Sequence, residues 1–111
     1  MQTISASSAV QFFNDADTIF IDVRGHAEVS MSGTIKGAVI VPLQEFSAHA
    51  QPDGSGTLPA TNEGKRIILV CASGARSGAA GMQLMRMGYD NVANLSGGIG
   101  AWARAGGAMG K

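Results

Sequence analysis

Apolar residues in this chain gather into short runs, set apart by breaks rich in glycine, serine, asparagine and proline. That rhythm belongs to alternating short helices and strands. Ser7 and Ser8 offer caps for a helix over Val10, Phe12 and Phe13, which the Asn14-Asp15 turn signal ends. Residues 18–23, Thr-Ile-Phe-Ile-Asp-Val, are β-branched and aromatic and read as a buried strand. A brief helix over 24–31 follows, closed by Ser32-Gly33. Residues 38–41 form the next strand, and Pro42 suits the first turn of a helix running through Phe46 to Ala50. Residues 51–64 carry the composition of a long surface loop. Ile67 to Val70 is the most apolar strand and belongs at the centre of the sheet. The spacing then predicts a helix over 77–87, with Ala80, Leu84 and Met87 on one face and Gly88 as its stop. A strand over 91–95 and a helix over 98–105 complete the pattern. Strands separated by helices predict an α/β fold with a mostly parallel sheet. In such sheets ligands bind beyond the C-terminal strand ends.

At 111 residues the chain reads as a single domain over 1–111, and 45% hydrophobic against 14% charged residues suits a folded globule. Net charge is zero, which gives no general attraction to nucleic acid or to acidic membranes. Its distribution is uneven. Residues 1–63 hold two basic and seven acidic side chains, whereas 64–111 hold six basic and one acidic. An anionic substrate is therefore expected on the C-terminal half. No Lys or Arg occurs in the first 23 residues, so the basic start of a targeting peptide is missing. No apolar run nears the roughly 18–20 residues of a membrane span. The expected location is the cytoplasm, with neither a nucleic-acid nor a membrane partner.

One cysteine, Cys71, rules out an internal disulfide and a Cys-x-x-Cys pair. His26 and His49 stand 23 residues apart and match no metal-ligand spacing, so no metal site is expected. Cys71 ends the central strand and opens the segment Cys71-Ala72-Ser73-Gly74-Ala75-Arg76-Ser77. A thiol between a strand end and a helix start meets the unpaired N–H groups of the first turn. Small residues let the backbone curl into an anion nest. Both effects lower a thiol below its free value of about 8.5, and the thiolate is the nucleophile. Arg76 adds a positive charge able to hold an oxyanion, with a surface charge or an ion pair to Asp22 as its plainer readings. A free cysteine after an apolar strand also resembles an inert core residue. The glycine and arginine at fixed offsets favour chemistry. Cysteine phosphatases space their pair as Cys-x5-Arg; here the pattern is Cys-x4-Arg, a tighter loop that suits a smaller electrophile such as a sulfane sulfur.

Taken together, several segments resemble the rhodanese family. They are Ile21-Asp22-Val23-Arg24, then Gly33-Thr34-Ile35-Lys36-Gly37-Ala38 with Ile40-Val41-Pro42-Leu43, the cysteine segment, Gly88-Tyr89-Asp90-Asn91-Val92, and Leu95-Ser96-Gly97-Gly98-Ile99 to Ala101-Trp102. They run in the family's order over about residues 4–106. The resemblance implies a parallel sheet of about five strands flanked by helices on both faces, and sulfur transfer with no cofactor. By position it makes Cys71 the sulfur carrier and Ala72, Ser73, Gly74, Ala75, Arg76 and Ser77 the substrate cradle, with Asp22 and Arg24 as supports. The implied donor is a small sulfur anion such as thiosulfate or a persulfide. The implied acceptor is cyanide, a thiol or a partner protein. A non-catalytic binding or relay module is the alternative, and a phosphatase or arsenate reductase a more distant one. Three positions depart from the family pattern: Ala72 stands where many members carry a basic residue, Thr34 replaces a common His, and Lys36 a common Pro. Without a cation at 72, thiosulfate is the weaker choice of donor.

Two other patterns take structural readings. Gly98-Ile99-Gly100 hints at a dinucleotide fingerprint, but no acid or strand follows in the 11 residues after Gly100, and close packing is the better explanation. Trp102 is expected to pack in the core, and the Met82, Met85 and Met87 group to serve helix packing rather than a binding surface.

Overall fold

A computed structural model describes residues 1–110. Seven strands occur: β1 (Gln2–Ile4), β2 (Thr18–Asp22), β3 (Thr34–Ile35), β4 (Val39–Ile40), β5 (Arg66–Val70), β6 (Val92–Leu95) and β7 (Met109–Gly110). Five helices lie between them: α1 (Ala6–Val10), α2 (His26–Ser32), α3 (Phe46–His49), α4 (Ala75–Arg86) and α5 (Gly98–Arg104). The main sheet has the order β1-β6-β5-β2-β4, parallel at every pairing. β5 holds the centre because Ile67, Ile68, Leu69 and Val70 are wholly buried, each contributing roughly 1.5–3 kcal/mol that only a position covered on both faces delivers.

Alternation along the strands divides the core in two. Ile67 and Leu69 pack with Ile21, Phe46, Ala80 and Leu84 beneath α3 and α4. Ile68 and Val70 face the other way, onto Ala9, Leu95 and Trp102 beneath α1 and α5. Trp102 is fully buried, edge-on to Phe20 with ring centres 5.2 Å apart, and its indole N–H donates to the Ala108 carbonyl at 3.0 Å. The α/β architecture and the central place of β5 are as the pattern predicts, and the helices on both faces are as the family resemblance implies.

Local differences have local causes. Ser5, not Ser7 or Ser8, caps α1, accepting from the Ser8 N–H, and the chain turns after Val10. Pro42 opens a 3-10 turn (Leu43–Glu45) before the short α3, so the predicted helix arrives in two pieces. α4 begins at Ala75, two residues earlier than predicted, because Gly74 at φ 113° turns the chain directly into the helix. Its buried residues Ser77, Ala80, Gly81 and Leu84 follow helical spacing. Met82 and Met85 fall outside that stripe and are exposed, contrary to the packing role expected of them; only Met87 packs against the core. The antiparallel pair β3–β7 and the edge strand β1 carry too few residues for a sequence pattern, and β7 is a strand after Gly100 where none was expected. Among the described residues no helix is long and apolar enough to cross a membrane.

Candidate active site

Cys71 follows the C-terminal end of β5, between that strand and α4, and is closed from solvent. Its main chain is held from one side. The Ile99 N–H donates to the Cys71 carbonyl at 2.9 Å, bringing the first turn of α5 against the loop. Only glycine fits at 98: φ is 67°, and a Cβ there would strike the Cys71 and Ala72 carbonyls. This approach accounts for the Gly98-Ile99-Gly100 pattern without a dinucleotide.

The sulfur itself is hydrogen-bonded. The Gly74 N–H donates to Sγ at 2.9 Å and the Ser77 hydroxyl lies 3.2 Å from it. Burial alone would push the thiol up, but bonds from the Ser77 hydroxyl and from the N–H groups of Ser77, Gly74 and Ser73 outweigh it. The Cys71 pKa falls below its ordinary value. An inert core cysteine would move the other way. Ala72 and Ser73 are exposed, so the loop's outer wall is thin.

Asn94, near the end of β6, ties the loop together. Its side-chain amide donates to the Gly74 carbonyl at 2.9 Å and its Oδ1 accepts from Ser77 Oγ at 2.6 Å. Sequence reasoning passed over this residue; the signal was an asparagine inside the apolar run Val92-Ala93-Asn94-Leu95.

Arg76 sits in the first turn of α4, but its guanidinium points to α2, not into the loop. Nη1 meets Glu28 Oε1 at 2.6 Å and Nη2 meets Oε2 at 3.0 Å, a two-pronged pair. The hydrogen bond raises Arg76 and holds the Glu28 carboxyl below its usual range. The partner is therefore Glu28 and not Asp22, and the pair joins the acidic half of the sequence to the basic one.

Asp22 and Arg24 form a separate buried network. The Arg24 guanidinium spans Asp22 (2.8 Å), Ser32 Oγ (2.8 Å) and the Gly33 carbonyl (2.6 Å), and the Thr34 hydroxyl donates to Asp22 at 2.6 Å. It fixes the end of α2 against β2. Among the described residues none of its hydrogen bonds reaches the cysteine loop. His26, at the start of α2, is exposed. A shallow apolar depression lined by Met31, Ser32, Gly33, Met109 and Gly110 lies apart from the cysteine loop, and no cysteine-loop residue lines it.

The sequence profile of the rhodanese-like domain matches residues 5–105. The chain belongs to the rhodanese-like family. This rhodanese-like chain is 35% identical over 102 residues to a sulfurtransferase of Allochromatium vinosum, covering 92% of this chain and 87% of that protein. It is 32% identical over 101 residues to the tRNA uridine(34) hydroxylase of Yersinia enterocolitica, of which it spans only 28%. Among solved structures, a protein of unknown function from Rhodopseudomonas palustris, described as a possible tyrosine phosphatase, superposes with a TM-score of 0.86 at 28% identity, over 99% of this chain and 85% of that one. A rhodanese-like domain protein from Staphylococcus aureus gives 0.74 at 26% identity, over 92% and 91%.

Proposed function

We propose that this rhodanese-like chain is a sulfurtransferase working as a single domain, with Cys71 carrying sulfur as a persulfide. The observation that carries the reading is the donor set on Sγ: Gly74 N–H at 2.9 Å and Ser77 Oγ at 3.2 Å, enough to lower a buried thiol. Likeness to the Allochromatium sulfurtransferase over most of both chains supports the same class.

The Cys71 thiolate attacks the sulfane sulfur of a donor. With thiosulfate, the S–S bond breaks, sulfite leaves with the bonding pair, and Cys71–S–S⁻ remains. With a persulfide R–S–SH, the thiolate R–S⁻ leaves and Cys71–S–SH remains. The added sulfur takes up the N–H groups of the cradle formed by Ala72, Ser73, Gly74, Ala75, Arg76 and Ser77, which favour a spread negative charge. Cyanide or a thiol, free or on a partner protein, then attacks the outer sulfur and returns the Cys71 thiolate. Asp22 and Arg24 act as supports through α2. No cofactor enters these steps, and the reducing cytoplasm suits a lone reactive thiol.

The test is steady-state sulfur transfer to cyanide from thiosulfate and from an alkyl persulfide. Thiocyanate should form with the parallel double-reciprocal lines of a two-step exchange, and Cys71→Ser should abolish it. Thiocyanate from neither donor would leave a non-catalytic binding module as the better reading. Hydrolysis of an aryl phosphate should be absent, because the loop is one residue short of the phosphatase spacing.

A further inference from the structure

Both arginines that the family pattern assigns to the site are held by carboxylates. Arg24 lies on Asp22, buried. Arg76 lies on Glu28, with both side chains close to half exposed. The cysteine segment contains no other basic residue. Its cradle therefore presents backbone N–H groups and hydroxyls, but no free side-chain cation.

Glu28 is placed for this task from both ends of α2. The Arg24 contacts to Ser32 Oγ and the Gly33 carbonyl pin the helix's last turn, and Glu28 Oε1 also accepts from the Gly25 N–H at 3.4 Å at its first. The carboxylate thus waits opposite α4, where it meets Arg76 two-pronged. Arg76 stands in the first turn of α4, directly after the cysteine loop, so a released guanidinium would act on the sulfur's surroundings.

Donor chemistry separates two cases. Thiosulfate is a dianion, with charge on its sulfonate end, and gains most from a cation. An alkyl persulfide carries at most one charge, on the sulfur that moves, and its protonated, electrophilic form carries none, so N–H groups around that sulfur suffice. We propose that Glu28 is a positioning residue that sets donor class: by clamping Arg76 it withholds the site's cation, and the site favours alkyl persulfides over thiosulfate. This rests on the sulfurtransferase reading for its donors, whereas the clamp itself is testable without sulfur chemistry.

The experiment compares alkylation of Cys71 by iodoacetate, an anion, and by iodoacetamide, its neutral counterpart. Both report thiolate reactivity, and their rate ratio reports the cation available to an incoming anion. Glu28→Gln keeps an acceptor for the Gly25 N–H and frees Arg76. It should raise the iodoacetate-to-iodoacetamide ratio about two- to five-fold at low salt, the range an exposed ion pair is worth, and the gain should fade as salt rises. The double variant Glu28→Gln, Arg76→Gln should return the ratio to that of the wild type. A general loosening of the fold would change both rates together and leave the ratio alone; that result overturns the proposal, as does a gain that survives removal of Arg76. In the donor assay, the thiosulfate KM of Glu28→Gln should fall by a similar factor, with a smaller change for a persulfide that carries no charge beyond its own sulfur, such as that of N-acetylcysteine methyl ester. If neither donor is used by any variant, the sulfurtransferase reading fails while the alkylation ratio still decides the clamp.

Discussion

Asn94 on β6 holds Ser77 on α4 through a 2.6 Å hydrogen bond from the serine hydroxyl to Oδ1. The same hydroxyl lies 3.2 Å from Cys71 Sγ, and it has one proton to give. The proton stays on Ser77 Oγ and can point to Asn94 Oδ1 or to Sγ. Once sulfur is a thiolate, turning that proton toward Sγ stabilises the charge. Ser77→Ala removes the device. Alkylation of Cys71 at neutral pH should slow by about three- to ten-fold, the worth of one such hydrogen bond. An unchanged rate would mean that the backbone N–H groups alone hold the thiolate.

The pH dependence follows from the direction of the Cys71 shift. Burial pushes the thiol up, yet the Ser77, Gly74 and Ser73 donors overcome it, so the thiolate appears at lower pH than in a free thiol. The alkylation rate should climb with pH and level off below the free-thiol value of about 8.5. Folding is linked to the same shift. The folded chain holds the proton less tightly than the unfolded one, so the stability the thiolate contributes is fully present above the unfolded pKa and is lost as pH falls through the folded one. Urea unfolding of Cys71→Ser should lack this rise. A rate that levels off at or above the free-thiol value would contradict the donor set.

The Asp22–Arg24 pair predicts a stability effect rather than a chemical one. Both side chains are buried, and the Arg24 guanidinium makes two further contacts at the end of α2, to Ser32 Oγ and to the Gly33 carbonyl. Removing one partner leaves the other charged and buried. Asp22→Ala should cost about 3–5 kcal/mol in denaturant unfolding. A loss well under 1 kcal/mol would show that α2 is held by packing alone.

Gly98 predicts a coupling between α5 and the cysteine. Gly98→Ala places a methyl group against the Cys71 and Ala72 carbonyls at a positive φ. Stability should fall by about 1–3 kcal/mol from the strain, and Cys71 alkylation should change as the loop is displaced. Normal stability with normal alkylation would show that the loop yields freely.

The sheet and the cysteine were legible because each writes a local pattern. Ile19 to Ile21 in β2 and Ile67 to Val70 in β5 are continuous apolar runs, and the small residues after Cys71 mark a tight strand-to-helix turn. What escaped notice depends on partners distant in sequence. β3 and β7 pair two residues each, Thr34 with Gly110 and Ile35 with Met109, and nothing alternates over so short a span. Glu28 and Arg76 stand 48 positions apart, yet they follow β2 and β5, which are neighbours in the sheet. Loops leaving the same end of adjacent parallel strands meet, so the acidic first half and basic second half were a hint of pairing. Taken only as a hint of an anion site, the same asymmetry left the Glu28–Arg76 pair unnoticed.

The most direct test is the mass of the protein after a sulfur donor. Reduced wild type and Cys71→Ser are incubated with an alkyl persulfide and, separately, with thiosulfate, then freed of excess donor and weighed intact. Persulfide formation at Cys71 predicts a gain of about 32 Da on the wild type alone, larger in extent with the persulfide than with thiosulfate. No gain from either donor, or an equal gain on Cys71→Ser, would contradict Cys71 as the sulfur carrier.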